Sequence, residues 1–178
     1  SSCVDYEINR RSVVDSYTQA SKEAGVDILW VVDNSASMFE EQEQLAQHVS
    51  HFTDYITAVP VDFRIGVITT DFAEESSGQF VGDILLTPET IDLAAAFASL
   101  LLLEEGARDE KGFETTLLAL DPEGVNQGML DSASDLEIIF FSDEDEQSDI
   151  DTEAFLSELD RLRSNSNIAI NAITGDPP

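Results

Sequence analysis

"DILWVVDNSASM", residues 27–38, decides how this chain is read. Ile28 to Val32 form a short unbroken apolar run, rich in β-branched residues and preceded closely by Gly25. That is the pattern of a strand buried on both faces, as in a parallel sheet. The run stops at Asp33, and Ser35 and Ser37 follow at alternate positions. While the chain stays extended, alternate side chains point the same way, so these three would line one side of a turn.

Working outward, "EEQEQLAQHVSHFTDYITAV" (40–59) places Leu45, Val49, Phe52, Ile56 and Val59 at helical spacing, with acids in the first turn and Pro60 at the end. "FRIGVITTDF" (63–72) reads as the next strand, and "GQFVGDILL" (78–86) as a strand antiparallel to it across the turn "EESSG". "TPET" predicts a helix with Thr87 as N-cap and Pro88 in its first position, running to about Leu103. After an acidic loop, "FETTLLALD" (113–121) is helical until Pro122. "LEIIFFSDEDEQSD" (136–149) repeats the opening pattern, a buried strand ending in acids. "DTEAFLSELDRLRS" (151–164) is an amphipathic helix, and "NIAINAITGD" (167–176) a last strand. Alternating strands and helices imply an α/β fold: a doubly wound, mainly parallel sheet with one antiparallel edge strand and helices on both faces. Residues 1–25 read as an N-terminal extension, in which "RRSVVDSYTQ" (10–19) could add a short edge strand, and 26–178 as the domain.

The 178 residues carry 37 acids and 8 bases, a formal charge of −29. Such a surface repels nucleic acid and anionic lipid and attracts cations. The charge also serves solubility or adaptation to salt. No apolar run is long enough to span a membrane. No signal peptide is present, although one could have been removed ahead of this numbering. The single cysteine, Cys3, is either a lipid attachment point, half of a disulfide to another chain, or an incidental thiol.

In a sheet of this kind ligands bind beyond the carboxyl ends of the strands. Two strands deliver acids there, Asp33 and Asp143. A carboxylate with two hydroxyls is a hard oxygen set suited to Mg²⁺, Ca²⁺ or Mn²⁺. Asp and Ser are equally at home in caps and turns, so the pattern gains weight only from the second acid at the same edge.

From about residue 26 to its end the sequence resembles a von Willebrand factor A-type domain, whose metal-ion-dependent adhesion site carries the Asp-x-Ser-x-Ser pattern. The variant it most resembles is bacterial and exported, with "VVDNSASM", "GVITTD", "GFE" and "SDED" in this order. The resemblance implies that Asp33, Ser35 and Ser37 are first-loop metal ligands and that Asp143 is the third-loop acid. The family's second loop supplies a threonine ahead of a helix; here the matching segment is "KGFETTLLAL", and Glu114 is preferred as ligand, with Thr115 or Thr116 as alternatives. The cofactor implied is a divalent cation, Mg²⁺ first, with Ca²⁺ or Mn²⁺ favoured more if Glu114 binds it. The function implied is adhesion or assembly of an extracellular or cell-envelope protein, secreted or lipid-anchored, whose partner protein completes the metal shell with an acidic side chain. A structural subunit with a purely structural metal is the alternative, and a metal-dependent phosphohydrolase using Asp33 and Asp143 a third. The family's sheet has six strands and five are legible here, so the domain reads as lacking its last strand and helix, or as completed by a strand from a partner chain along "NIAINAI".

Other motifs carry less. Glu40 and Glu41 resemble an accessory metal position but suit a first helical turn without one. "SDEDEQSDID" (142–151) holds six acids yet lacks the glycine and spacing of an EF-hand, and reads as a solvated loop capping the next helix through Ser148 or Asp149. His48 and His51 lie within one helix, no phosphate loop or Ser–His–Asp pattern occurs, and few bases stand near either acidic motif to hold a phosphate. The chain therefore reads as a binding module and not an enzyme.

Overall fold

A computed structural model describes residues 25–72, 77–106, 109–127, 130–131, 134–164 and 167–175. Cys3 and the strand expected at 10–19 lie outside these residues. Four strands form one parallel sheet in the order β2-β1-β3-β4: β1 Val26–Val32, β2 Phe63–Thr69, β3 Asp135–Ser142 and β4 Ile168–Thr174. β1 is central, and all its residues after Val26 are buried, as its apolar run requires.

The alternation of β1 divides the core in two. Ile28, Trp30 and Val32 face α1 (Phe39–Ala58) and α2 (Leu93–Leu101), packing with Val49, Phe97, Leu100 and Leu101. Trp30 meets Phe52 and Phe97 edge-on, with centroids 5.8 and 5.5 Å away. Leu29 and Val31 face α3 (Gly112–Leu120) and α4 (Thr152–Leu162), where Phe155 and Leu159 are buried and Phe113 stacks on Phe155 at 4.2 Å. Helices thus cover both faces of an α/β sheet, as the strand–helix alternation implied. Among the described residues no helix is long and apolar enough to cross a membrane.

Three local expectations are corrected. The antiparallel edge strand is reduced to one bridge, Ile65 with Leu86, whose two N–H···O bonds measure 2.8 and 2.9 Å. Gly82 and Asp83, both at positive φ in the turn Val81–Asp83, break what would be the strand. Thr87 does not cap α2; its carbonyl accepts from Thr90 in a separate turn, and the helix begins six residues later behind Asp92, which accepts from the Ala95 N–H. Asp151, not Ser148 or Asp149, caps α4 by accepting from Ala154 at 2.8 Å.

Candidate metal centre at the carboxyl edge of the sheet

Register brings the site together. Val32 pairs with Thr69 on one side and Phe141 on the other, so Asp33, Thr70 and Ser142 end their strands side by side. The backbone continues the ladder for one step, Asp33 N–H to Phe141 and Thr70 N–H to Val32. Asp33 is fully buried. Its Oδ1 accepts from the Ser35 N–H at 2.8 Å and its Oδ2 from the Ser142 hydroxyl at 2.6 Å. The chain stays extended only through Ser35; Ala36–Met38 is a tight 3₁₀ turn. That turn still gathers the hydroxyls: Ser35 Oγ and Ser37 Oγ are 3.0 Å apart, and Ser37 Oγ donates to Asp143 Oδ1 at 3.3 Å.

Buried amides fix this loop. Gln42 donates to the Asp33 carbonyl at 2.9 Å and accepts from the Leu103 N–H at 3.1 Å, so one side chain ties the motif to the chain after α2. Asn34 donates to the Glu104 carbonyl, while Gly106 donates to the Asn34 carbonyl. Any side chain at Gly106 would run into Asn34, with Nδ2 only 2.2 Å from a Cβ there. Between these segments lies a cleft of about 420 Å³ lined by Ser35, Ser37, Glu105, Gly106, Glu110 and Glu144.

The structure therefore brings Asp33, Ser35, Ser37 and Asp143 together, and does not bring Glu114 to them. Glu114 lies in the first turn of α3, where its carboxylate accepts from the Asp149 N–H at 3.3 Å and pairs with Lys111 at 3.4 Å. It lines a different groove, beside Phe72 and Leu117. Thr115 and Thr116 are also away from the site: both are fully buried and bond back to helix carbonyls, Thr116 to Gly112 at 2.7 Å. The second-loop acid in the cleft is Glu110, which sequence reasoning passed over. Its position beside the end of β2 depends on antiparallel bonding of 109–111 to 70–72, through Phe72 N–H to Asp109 and Lys111 N–H to Thr70. The one sequence signal was an acid immediately ahead of the helix, in the segment where the family places its threonine.

Glu110 is 4 % exposed. Its Oε2 accepts from the Thr70 hydroxyl, and its Oε1 is buried with no partner. Burial first, then the charges of Asp33, Asp71 and Glu144, push its pKa up from 4.5 to about 7 against the lowering effect of the Thr70 bond. The described bases are engaged elsewhere: Arg64 and Arg163 with Asp27, Lys111 with Glu114 and Asp149, Arg161 with Glu158.

Among the described residues no three His, Cys, Asp or Glu side chains stand close enough to hold a metal by themselves. A cation here would depend on hydroxyls and carboxylates together, a hard oxygen set that suits Mg²⁺, Mn²⁺ or Ca²⁺. The bare buried oxygens of Glu110 and Asn34 and the lack of a neighbouring described base fit such an ion. Glu40 and Glu41 occupy the first turn of α1 and do not line the cleft.

No family model matches the chain, and no curated protein matches it. Solved structures with a similar fold include the pilus adhesin SpaC from Lactobacillus rhamnosus GG in its open conformation, at 16% identity and a TM-score of 0.45, over 67% of this chain and 15% of the adhesin. Proximal thread matrix protein 1 from the mussel byssus is similar at 15% identity and a TM-score of 0.49, over 86% of this chain and 37% of that protein. The chain thus spans well under half the length of either. At this level neither likeness bears on what this chain does.

Proposed function

We propose that the chain is a divalent-cation-dependent protein-binding module of von Willebrand factor A type, serving adhesion or assembly outside the cell or in a bacterial envelope. The observation that carries this reading is the convergence of Asp33, Ser35, Ser37 and Asp143 at the carboxyl edge of a parallel sheet, beside an open cleft. A bound cation supplies an open coordination position, and an acidic side chain of the partner protein fills it. Asp33 and the two serines orient that ion, and Gln42 holds the loop. β4, exposed along nearly its whole length, adds a strand from the partner; self-repulsion at −29 disfavours a second copy there.

A structural role for the metal is the second reading. It is favoured by Asp33 itself, whose two oxygens already hold Ser35 and Ser142.

Thermal unfolding in EDTA and in Mg²⁺, Ca²⁺ or Mn²⁺, at high fixed ionic strength, tests the proposal. A cation at 100 times its Kd adds ~2.7 kcal/mol to the folded state. Wild type should gain it and Asp33→Ala should not. Equal gains in both proteins would mean that divalents only screen the acidic surface.

A further inference from the structure

Resting on the partner strand that β4 is proposed above to accept, we propose that the groove beside β4 selects that strand. The strand it fits carries apolar side chains at alternate positions and a lysine or arginine at the carboxyl edge of the sheet. The groove, of about 450 Å³, lies between β4 and the helices α3 and α4. Phe113, Phe140, Phe155, Leu156, Ile170 and Ala172 line it. Leu156 is 47 % exposed and Ile170 39 %. Single exposed apolar side chains are ordinary on a surface, but a contiguous groove of them marks a binding surface.

β4 supplies the edge and the groove supplies the choice. Ile168, Ile170, Ala172 and Thr174 alternate along β4, and the last three line the groove. β4 pairs with β3 on one side and, among the described residues, with no strand on the other. A strand added there gains affinity from its main-chain hydrogen bonds, and the pockets that receive its alternate side chains set its sequence. Beside Ile170 and Ala172 the walls are apolar, so the side chains that enter there are apolar too.

At Thr174 the chemistry changes. Ser142 pairs with Thr174, so the acids that follow β3 stand at this end of the groove. Glu144, Asp145 and Glu146 line it together with Glu110, which is held beside the end of β2. Among the described residues none of these four pairs with a base, and no three acids stand close enough to hold a metal in their place. Glu110 is 4 % exposed and its Oε1 has no partner. A cationic side chain on the partner is the countercharge that this rim lacks, and an acidic one would be repelled. Glu110 and Glu144 also line the cleft at Ser35 and Ser37, so a partner seated in the groove lies next to the proposed cation.

Fluorescence anisotropy with the full chain, in EDTA and at fixed ionic strength, tests this. The probes are a labelled peptide of alternating valine and threonine with a lysine at each end, and its glutamate-ended counterpart. The lysine-ended peptide should bind saturably and more tightly than the other. Leu156→Arg fills the groove with a long base and should weaken that binding about tenfold or more, the scale of losing an interface anchor. Ile91→Arg makes the same charge change at a residue 92 % exposed, just ahead of α2 on the opposite face, and should leave binding nearly unchanged. Equal weakening in both variants would mean that the peptide only follows the overall acidic charge, and would overturn the groove. Equal binding of both peptides would overturn the cationic end. Binding of neither would overturn the proposal, and binding that appears only after Arg10→Ser and Arg11→Ser would give the groove to the chain's own first residues instead. With EDTA present throughout, failure here leaves the cation site at Asp33 standing.

Discussion

β1 is flanked by two buried acids that the molecule treats in opposite ways. Asp27, at its amino end, and Asp33, just past its carboxyl end, are both fully buried. Asp27 is neutralised by the chain itself: Arg64 Nε stands 2.9 Å away, Arg163 Nη2 2.7 Å, and the Asp131 N–H donates at 3.1 Å. Among the described residues Asp33 receives only a hydroxyl and one backbone N–H and pairs with no base, while its charge acts on Glu110. Of the bases among the described residues, two are committed to Asp27 and none pairs with Asp33. Among the described residues, countercharge stands at the amino end of β1 and not at the carboxyl end, where the cation site is proposed.

Breaking the structural end should have the largest effect. Arg163 is 4 % exposed and packed on Asp27, so Arg163→Ala leaves a buried charge with Arg64 as its only remaining described base. Loss of one partner of a buried pair costs ~3–5 kcal/mol. Urea unfolding should show that loss equally in EDTA and in Ca²⁺. A loss seen only in Ca²⁺ would place the two ends in one coupled network.

The carboxyl end of β1 should respond to pH through Glu110. Glu110 has a folded pKa of about 7 against 4.5 when unfolded, so the folded protein binds the extra proton between those values. The stability due to protonated Glu110 is therefore complete below pH 4.5 and lost as the pH rises through about 7, a change of about 3 kcal/mol. In EDTA, Glu110→Gln should remove this part of the slope and exceed wild type in stability above pH 7. Parallel wild-type and variant curves from pH 4.5 to 8 would mean that burial does not strain Glu110.

A smaller effect belongs to the hydroxyls. Ser37 is exposed and touches Ser35 and Asp143 only through its hydroxyl, so Ser37→Ala should leave stability in EDTA unchanged. Cation affinity should fall about tenfold, ~1.4 kcal/mol, read as a lost thermal shift at fixed ion concentration. An unchanged shift would assign Ser37 to the turn alone.

These contrasts also show what could be read from the chain in advance. Hydrophobic runs and periodicity gave β1, β2, β3, β4 and α1 nearly to their ends, because burial on two faces or one leaves a strong local pattern. The edge at 78–86 failed because Gly82 and Asp83 turn the backbone with positive φ, which the apolar residues around them conceal. α2 failed at its start because Thr87 and Thr90 satisfy one another in a turn of their own. At the candidate site, the clustering of Asp33, Ser35 and Ser37 was legible because neighbours in sequence are neighbours in space. Glu110 was not, since the bonding of 109–111 to 70–72 joins segments about forty residues apart and no local pattern announces it.

Glu114→Gln is the control that separates the two acids of that loop, and its effect should be the smallest. Glu114 pairs with Lys111 at 3.4 Å near the surface, and such exposed pairs contribute ~0.2–1 kcal/mol. Lys111 keeps Asp149 at 2.7 Å, so little of even that is lost. Because Glu114 lines the groove beside Phe72 and not the cleft at Ser35 and Ser37, the substitution should not change cation affinity. A drop in cation affinity with Glu114→Gln, matched by none with Glu110→Gln, would restore the acid at the helix start as the ligand. It would also require α3 to turn its first residues toward Asp33 when the ion binds, breaking the Asp149 contact that now holds Glu114 away.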